Sequence, residues 1–317
     1  MITPIKTIAV IGAGAMGASY ASKFYEIDKN CISLVAKGDR YDRLKEKGLI
    51  VNDKHYFFNV IRPEEKTPPS DFIIVAVKHH HLEEAIRDIT NRVGENSLIL
   101  SIMNGIESEE QIAAAYGADK MLYGVAVGID AVRHANSITF SQQGKLFFGA
   151  ANNLHLTERV LRVQSLFNQA GIIYETPEDM IRILWWKFMI NVGINQASAA
   201  LGALYSVFHN SQEARELMES AMREVITIAK AEGIHLFEED IENWNSFLST
   251  LSPHGKTSML QDVEAKRKTE VEMFAGKVIE LGKKHGIPTP INQTLYRLIK
   301  VIEGIYTQRG IIGHNQR

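Results

Sequence analysis

The first half of the chain alternates short apolar runs with segments in which apolar residues recur at helical spacing. The apolar runs, each bounded by polar or turn-forming residues, are predicted as strands at 8–11, 32–36, 72–77, 98–103 and 122–128. Segments such as 81–90 and 107–116 lie between them and are predicted as helices. Because strands that alternate with helices form parallel sheets covered on both faces, the pattern predicts an α/β fold with a doubly wound, Rossmann-type sheet.

The end of this region predicts a small addition to the sheet. Residues 137–141 and 145–148 flank a turn at Gln142-Gln143-Gly144, so we expect an antiparallel pair of strands at the edge. Two further elements are predicted to complete the domain: a helix at 156–169 and a strand at 172–175.

Beyond residue 175 the periodicity is helical throughout. Thr176-Pro177 supplies an N-cap and a proline at the first helical position. Long helices are predicted at 180–204, 211–233, 258–285 and 293–304. The sequence therefore predicts two domains, a Rossmann-type domain at 1–175 and an all-helical domain at 176–317.

Composition restricts the class of protein but not its chemistry. The 317 residues are 45% apolar and 23% charged, which is typical of a globular protein long enough for two cores. A net charge of −2 gives no reason to expect nucleic acid or a membrane surface as partner. The single Cys31 cannot form an internal disulfide, and the first residues lack the apolar core of a signal peptide. We therefore expect a cytoplasmic protein.

The most informative motif follows the first predicted strand. Gly12-Ala13-Gly14-Ala15-Met16-Gly17 joins that strand to a predicted helix. Glycines at this spacing allow a tight turn, let the backbone approach a pyrophosphate and let the helix pack closely, while the helix amino terminus attracts negative charge. The motif predicts a dinucleotide site, with a purely structural glycine turn as the alternative.

The residues after the second predicted strand bear on the choice of dinucleotide. An acidic side chain here accepts the ribose hydroxyls of NAD, but this chain presents Lys37 and Arg40, with Asp39 between them. Because two cations suit a ribose 2′-phosphate, the sequence predicts NADP(H). A solvated basic loop remains the alternative.

Two polar residues follow the next predicted strands. Lys78 comes after the third and Asn104 after the fourth, and this edge of a parallel sheet faces the ligand crevice. We expect both to point toward the nicotinamide half of the cofactor. The triplet at 79–81 is histidine throughout, but consecutive residues entering a helix point in different directions and no acid or cysteine joins them, so we predict no metal site.

A polar stripe crosses the first helix of the second domain. Lys187, Asn191 and Asn195 recur at four-residue steps in a segment that is apolar on nearly every other side. Burying an unpaired ammonium costs on the order of several kcal/mol, so a lysine in this apolar segment indicates a functional role. Burial also lowers the pKa of a lysine toward the range in which it donates a proton to a developing alkoxide. The alternative is a lysine that reaches solvent between two capping amides.

A third cluster lies near the predicted helix at 258–285. Ser258 and the free amides beside it suit a substrate carboxylate, although a plain helix cap is an equal alternative. Glu270 is expected to lie roughly 18 Å further along a continuous helix. This places it nearer the cofactor or Lys187 than the carboxylate, with a solvated acid as the alternative.

Taken together, these residues resemble the 2-dehydropantoate 2-reductase family, also called ketopantoate reductases. The resemblance rests on the glycine-rich motif, Lys78, Asn104-Gly105, the stripe at 187–195 and the segment at 257–270, and it extends from residue 8 to about 290. It implies NADPH-dependent reduction of 2-dehydropantoate to (R)-pantoate, a precursor of pantothenate and coenzyme A.

The resemblance also implies roles for individual residues. Lys187 is implied as the proton donor. The substrate contacts implied are Asn104, Asn191, Asn195 and Ser258. The cofactor contacts implied are Gly12 to Gly17, Lys78, Asn104 and Glu270.

Two departures from the family pattern leave the substrate open. Gly255 stands where members often carry asparagine, and Ala203-Leu204-Tyr205-Ser206 stands where many have an Asn-Gly pair. A related dehydrogenase for another 2-keto or 2-hydroxy acid, of D-mandelate-like type, is therefore the alternative. A non-catalytic NADPH-binding redox sensor is a second alternative, but it has no need of a buried amine at Lys187. We expect a small-molecule 2-keto acid as partner and keep a homodimer as one candidate assembly.

Overall fold

The computed structural model describes residues 3–129, 131–134 and 136–314. Two compact units are present, Met1–Leu184 and Trp185–Arg317. The strands all lie in the first unit: β1 (Ile8–Ile11), β2 (Ile32–Val35), β3 (Leu49–Val51), β4 (Lys54–Tyr56), β5 (Asn59–Ile61), β6 (Phe72–Val75), β7 (Leu98–Ser101), β8 (Met121–Ile129), β9 (Val132–His134), β10 (Ser137–Thr139), β11 (Gln143–Gly149) and β12 (Tyr174–Glu175).

The main sheet of the first unit has eight strands in the order β12-β11-β8-β7-β6-β1-β2-β5. The strands from β8 to β5 are parallel, whereas β11 runs antiparallel to β8. The helices of this unit are α1 (Ala15–Ile27), α2 (Gly38–Lys47), α3 (Leu82–Asp88), α4 (Ser108–Tyr116) and α5 (Glu158–Gln169). This architecture confirms the predicted doubly wound α/β fold.

Alternate residues of the central strand supply two separate cores. Ile8 and Val10 of β1 pack into a cluster with side chains of α1 and α5. Ala9 and Ile11 pack into a second cluster with side chains of α3 and α4. Because successive side chains of a strand point to opposite faces, a run that is apolar at every position is buried on both sides. The continuous apolar runs in the sequence therefore mark the centre of the sheet.

The predicted antiparallel pair at 137–141 and 145–148 is wrong. β10 instead pairs with β9 and β3 in a separate four-stranded sheet of order β4-β3-β10-β9. β11 pairs with β8, which continues past its short pairing with β7 and leaves a long free edge for it. Gln143 and Gly144, which were predicted to form a turn, are the first residues of β11. The pairing of β11 depends on the edge of β8, which is not adjacent in the sequence, so local sequence does not predict it.

The second unit is helical. Its elements begin in α6 (Met180–Ile190), in which the division between the units falls. The helices that follow are α7 (Gln196–Leu201), α8 (Tyr205–Asn210), α9 (Gln212–Ala231), α10 (Glu238–Leu248), α11 (Ser258–Glu264), α12 (Lys277–His285) and α13 (Pro290–His314). Five-residue π-helical turns lie at Asn191–Asn195 and Glu272–Gly276.

Two predicted long helices are shorter than expected. The helix predicted at 180–204 ends at Leu201, because Gly202 takes a left-handed φ of 64° and closes the last turn. The helix predicted at 258–285 stops at Glu264 and resumes only with the π turn at Glu272–Gly276. Lys266 has φ 55° in the interruption, a conformation that no helix continues through.

The start of α6 packs in the first unit. Met180 and Leu184 form an apolar cluster with Val125 of β8. Within the described part of the chain, no helix combines the length and the apolar character needed to cross a membrane.

Candidate functional site

The carboxyl ends of four parallel strands lie level at one edge of the sheet. Ile11 is in register with Val35 of β2 and Val75 of β6, and Val75 is in register with Ser101 of β7. Whatever follows these residues along the chain therefore leaves the sheet on the same side. These exits lead to the glycine-rich loop, Lys37, Lys78 and Asn104, as the sequence predicted.

The first and last glycines of the glycine-rich loop cannot be replaced by residues with a side chain, because backbone atoms lie too close to them. Gly12 has φ 97°, and a Cβ there would overlap the carbonyl of Ala76. A Cβ on Gly17 would overlap the carbonyl oxygen of Gly12. At Gly14, by contrast, no described heavy atom lies within 4 Å of the place a Cβ would take, and no side chain caps the helix that starts at Ala15. An open backbone next to an uncapped helix amino terminus fits a pyrophosphate.

The two cations after β2 have different surroundings. The Lys37 ammonium lies 2.7 Å from Glu84 and 2.8 Å from Asp88, and these bonds raise its pKa. Arg40 makes no hydrogen bond or ion pair with the described residues. The side chain of Arg40 is exposed by surface area, yet partial burial of its guanidinium lowers its pKa. Of the two, Arg40 is the one open to an anion.

Lys78 and Asn104 occupy short connections at the same edge. Lys78 precedes a single 3₁₀ turn, His79–His81, and both Lys78 and Asn104 are partly buried. In the part of the chain that is described, no group of three or more His, Cys, Asp or Glu side chains is placed to hold a metal ion.

A buried carboxyl supports the turn that carries Asn104. Ser108 donates to Glu109 Oε2 at 2.9 Å, and the Ser108 hydroxyl lies 2.7 Å from that of Ser101, which accepts from the Met103 amide. Glu109 is 2% exposed, and its Oε1 has no hydrogen-bond partner among the described atoms. Burial raises the pKa of Glu109 to about 7. Sequence reasoning missed this residue because charged helix starts are usually solvated.

This burial predicts a pH-dependent stability. A carboxyl whose pKa rises from 4.5 to about 7 on folding favours the protonated native state, so stability is lost as pH rises through 7. Glu109→Gln is fixed in the neutral form, so its free energy of unfolding relative to wild type should increase by about 2 kcal/mol between pH 5 and pH 8. Urea unfolding at both pH values measures this change. The exposed neighbour variant Glu110→Gln should show none, and an equal response of the two variants would contradict the assignment.

In the second unit, the predicted polar stripe forms around a π turn. Lys187 lies in α6, and Asn191 and Asn195 begin and end the π turn that follows. Four residues of α-helix turn about 40° beyond a full circle, which would carry Asn195 away from Lys187. A π turn contains more residues per turn, so four residues rotate by less than a full circle. The step from Asn191 to Asn195 therefore brings the Asn195 side chain back toward the helix face that carries Lys187. The sequence predicted the stripe but not the π turn that keeps it straight.

Lys187 is a buried amine of this unit whose pKa is lowered. Its side chain retains a little accessible surface, and it makes no hydrogen bond or ion pair with the described residues. Burial lowers the pKa of Lys187 to about 8. An amine with this pKa is protonated at neutral pH and gives up its proton more readily than an exposed lysine.

The π turn is held by a buried glutamine. Gln196 is fully buried, donates to Val192 O at 2.7 Å and to Asn292 Oδ1 at 3.1 Å, and accepts from the Ala275 amide at 3.0 Å. The last bond ties the two π turns together. The turn that carries Asn191 and Asn195 is therefore anchored to the rest of the helical unit through Gln196.

Ser258 is not the cap of its helix. The N-cap is Thr257, whose hydroxyl accepts from the Leu260 amide at 3.1 Å and lies 3.1 Å from the Ser198 hydroxyl. Ser258 is the first helical residue and its side chain is exposed. The alternative of a plain helix cap is therefore wrong for Ser258. Its helix, α11, packs against the π turn at Asn191–Asn195.

Glu270 lies beyond the interruption of the predicted helix. It is 7% exposed and lies two residues before the second π segment. Because α11 ends at Glu264, the expected separation of roughly 18 Å along one helix does not apply. The interruption is fixed by Asp262, whose carboxylate accepts from Arg267 at 2.9 Å.

The two departures from the family pattern contact each other. A Cβ on Gly255 would come within 2.5 Å of the Tyr205 ring, and the Tyr205 amide donates to Gly255 O at 3.1 Å. Burial raises the pKa of Tyr205. The aromatic ring fills the space next to a position without a side chain, on the segment that leads to Ser258.

Comparisons with known proteins agree with this arrangement. The family profile described as Ketopantoate reductase PanE/ApbA matches residues 8–153, and the profile for its C-terminal part matches residues 179–303. The 2-dehydropantoate 2-reductase of Streptococcus pyogenes serotype M3 is 25% identical over 302 residues, which cover 94% of this chain and 98% of that protein.

Solved structures show the same fold. The crystal structure of 2-dehydropantoate 2-reductase from Geobacter metallireducens GS-15 has a TM-score of 0.83 and 25% identity, covering 93% of this chain and 99% of that one. The ternary structure of D-mandelate dehydrogenase with NADH and anilino(oxo)acetate has a TM-score of 0.85 at 21% identity, covering 95% and 99%. Because the two family profiles together cover most of the sequence, the chain belongs to the ketopantoate reductase family of oxidoreductases.

Proposed function

We propose that this protein reduces 2-dehydropantoate to (R)-pantoate with NADPH, and that Lys187 donates the proton. The single observation that carries the proposal is the Lys187 ammonium, which burial in an apolar helix brings to a pKa of about 8. Such an amine, one helical turn before Asn191, is suited to general acid catalysis. Membership of the family supplies the reaction class.

The residues at the sheet edge fit the cofactor. The open backbone at Gly14 and the first amides of α1 would hold the pyrophosphate, with Ala13, Ala15 and Met16 completing the loop. Of the two cations that the sequence predicts for the 2′-phosphate, Arg40 is proposed to bind it, because Lys37 is paired with Glu84 and Asp88. Lys78, Asn104 and Glu270 are proposed for the remainder of the cofactor. When bound, NADPH supplies the hydride that adds to the keto carbon.

The protein's own part in the chemistry is to bind the substrate and neutralise the oxygen. As negative charge develops on the keto oxygen, the Lys187 ammonium donates a hydrogen bond and then its proton to that oxygen. Asn104, Asn191 and Asn195 would orient the substrate with their amides. The neutral amine left on Lys187 recovers a proton from solvent before the next turnover.

Ser258 is proposed to bind the substrate carboxylate. Its hydroxyl is exposed at the start of a helix whose cap is already provided by Thr257. Ser258→Ala should raise the KM for the keto acid about 10-fold, because a hydrogen bond to a charge is worth roughly 1.5–3 kcal/mol. NADPH affinity should stay within about threefold. Steady-state kinetics of this variant and of the exposed-loop control Ser252→Ala measure the difference, and an unchanged KM would remove Ser258 from the site.

A second candidate function is supported by the contact between Tyr205 and Gly255. An aromatic ring in place of an asparagine side chain alters the surroundings of Ser258 and favours a less polar acid. A dehydrogenase for a D-mandelate-like 2-hydroxy acid is therefore the alternative to the pantoate reaction.

A substrate panel tests the proposal. Wild-type kcat/KM should be measured for 2-dehydropantoate, phenylglyoxylate and simple aliphatic 2-keto acids, each with NADPH and NADH. We expect 2-dehydropantoate with NADPH to give the highest value, with a preference over NADH of about 10-fold or more, the worth of one charge-assisted phosphate contact. Preference for phenylglyoxylate would support the second candidate. NADPH binding without turnover of any 2-keto acid would indicate a redox sensor and contradict the enzyme.

A further inference from the structure

A carboxylate on the last helix holds the segment that carries Glu270. Glu303 lies on α13, and its Oε1 accepts hydrogen bonds from the Thr269 amide at 2.8 Å and from the Thr269 hydroxyl at 2.7 Å. Thr269 is buried and directly precedes Glu270 in the chain. The conformation of this segment therefore depends on a side chain 34 residues away from Thr269.

Hydrogen bonds fix the chain on both sides of Glu270. Before it, the hydroxyl oxygen of Thr269 accepts from the Val271 amide at 3.3 Å, so the bond spans Glu270. After it, the carbonyl oxygen of Glu270 accepts from the amides of Met273 at 3.1 Å and Phe274 at 3.2 Å. The backbone of Glu270 is thus held between the carboxylate on α13 and the π turn at 272–276.

Glu303 is itself held by a cation. Lys300, one turn earlier on α13, donates to Glu303 Oε2 at 2.9 Å and to Glu272 Oε1 at 2.8 Å. Burial favours the protonated form of Glu303, but hydrogen bonds from Lys300 and Thr269 outweigh it, so the pKa of Glu303 lies below its usual value. Glu303 is therefore an ionised acceptor at neutral pH, and a charged acceptor makes a stronger hydrogen bond than a neutral one.

This support replaces the hydrogen bonds that a continuous helix would have given. The sequence predicted one helix over 258–285, but α11 ends at Glu264 and residues 267–269 belong to no helix. Ordering irregular backbone costs conformational entropy, which tertiary contacts must offset. At Thr269 the contacts with Glu303 do so, directly beside a buried carboxyl group whose direction matters to any ligand that it binds.

We propose that Glu303 is a positioning residue for Glu270: acting through Thr269, it places the Glu270 carboxylate to contact NADPH and so raises the affinity for the cofactor. The inference rests on the proposed role of Glu270 as a cofactor contact. It adds to that role a residue on another helix that touches neither cofactor nor substrate.

Titration of the full-length protein with NADPH, in the absence of keto acid, tests the inference. Glu303→Ala should raise the Kd for NADPH about 10-fold, which corresponds to one hydrogen bond to a charged group. Glu303→Gln keeps an oxygen that can accept from Thr269, so its Kd should stay within about threefold of wild type. Equal losses in the two variants would contradict the role of the Thr269 bonds.

Glu280→Ala is the matched control. Glu280 is an exposed glutamate of the same unit whose carboxylate lies 2.8 Å from the Lys277 ammonium. Its removal breaks a glutamate–lysine pair, as Glu303→Ala does, but leaves Thr269 untouched. The Kd for NADPH should not change in this variant, and a loss equal to that of Glu303→Ala would overturn the inference.

A double-mutant cycle with Glu270→Ala separates positioning from general support of the fold. Glu270→Ala alone should raise the Kd about 10-fold or more. Adding Glu303→Ala should then raise it by less than about threefold, because the side chain that Glu303 places is gone. Fully additive losses would overturn the inference while the cofactor role of Glu270 stands.

An unchanged Kd in Glu270→Ala would overturn the cofactor role of Glu270 and the inference with it. Should Glu303→Ala not fold, Thr269→Val takes its place in the cycle, because it removes the hydroxyl and keeps the amide bond to Glu303. Thr269→Val should raise the Kd by about threefold or more in the wild-type background and leave it unchanged in the Glu270→Ala background. The same increase in both backgrounds would overturn the inference.

Discussion

Lys187→Ala is expected to reduce kcat by at least about 10²-fold, the lower end of what a general acid contributes. In the proposed mechanism the buried ammonium supplies both the proton and the positive charge that the developing alkoxide needs, and alanine supplies neither. Stability should change little or increase, because the substitution removes a buried cation that has no ion pair among the described residues. Steady-state kinetics at saturating 2-dehydropantoate and NADPH measure the loss.

Two controls separate catalysis from binding and folding. NADPH affinity of Lys187→Ala should remain near that of wild type, and Lys230→Ala, an exposed lysine of α9, should keep full activity. If Lys187→Ala retained more than about a tenth of wild-type kcat, well above what a lost general acid allows, the assignment would be wrong.

Gly17→Ala is expected to destabilise the protein by about 3 kcal/mol or more, at the upper end of overpacking effects. The added methyl group would overlap the backbone carbonyl of Gly12, which no side-chain rotation can relieve. Cofactor binding should be lost with the loop geometry. Chemical unfolding and NADPH titration of the purified variant measure both effects.

Gly14→Ala is the matched comparison at the same loop. Its Cβ meets no described heavy atom within 4 Å, and φ is −79°, so the fold should tolerate the change within about 1 kcal/mol. The same methyl group would stand where the pyrophosphate approaches, so NADPH affinity should still fall about 10-fold. Equal stability losses at the two glycines would contradict the distinct roles assigned to them.

The sheet could be predicted because its information is local. Each central strand is a continuous apolar run, and each following helix has its own periodicity, so the positions of these strands and their parallel direction follow from the sequence alone. The edge strands could not be predicted in the same way. β10 carries one buried residue, Ile138, and its partners β3 and β9 are fixed by tertiary packing.

The candidate site residues differ in the same way: some stand out in the local sequence pattern, and others depend on tertiary contacts. Lys187, Asn191 and Asn195 were found because polar residues at four-residue steps stand out in an apolar helix. Arg133 gives no such signal, because it is one arginine on a short edge strand and the carbonyl it contacts, that of Ala13 in the glycine-rich loop, is far away in the sequence. The interruption after Glu264 was missed because Lys266, a residue that rarely takes a left-handed φ, makes the turn.

The pH dependence of kcat tests the central claim most directly, with NADPH and 2-dehydropantoate saturating and wild type compared with Lys187→Ala. In the proposed mechanism reduction requires the protonated amine, and burial lowers the pKa of Lys187 to about 8, so wild-type kcat should be level below that pH and fall as pH rises through it. Lys187→Ala should show its low residual rate without this alkaline limb. The same alkaline limb in both proteins would contradict the assignment of Lys187 as the proton donor.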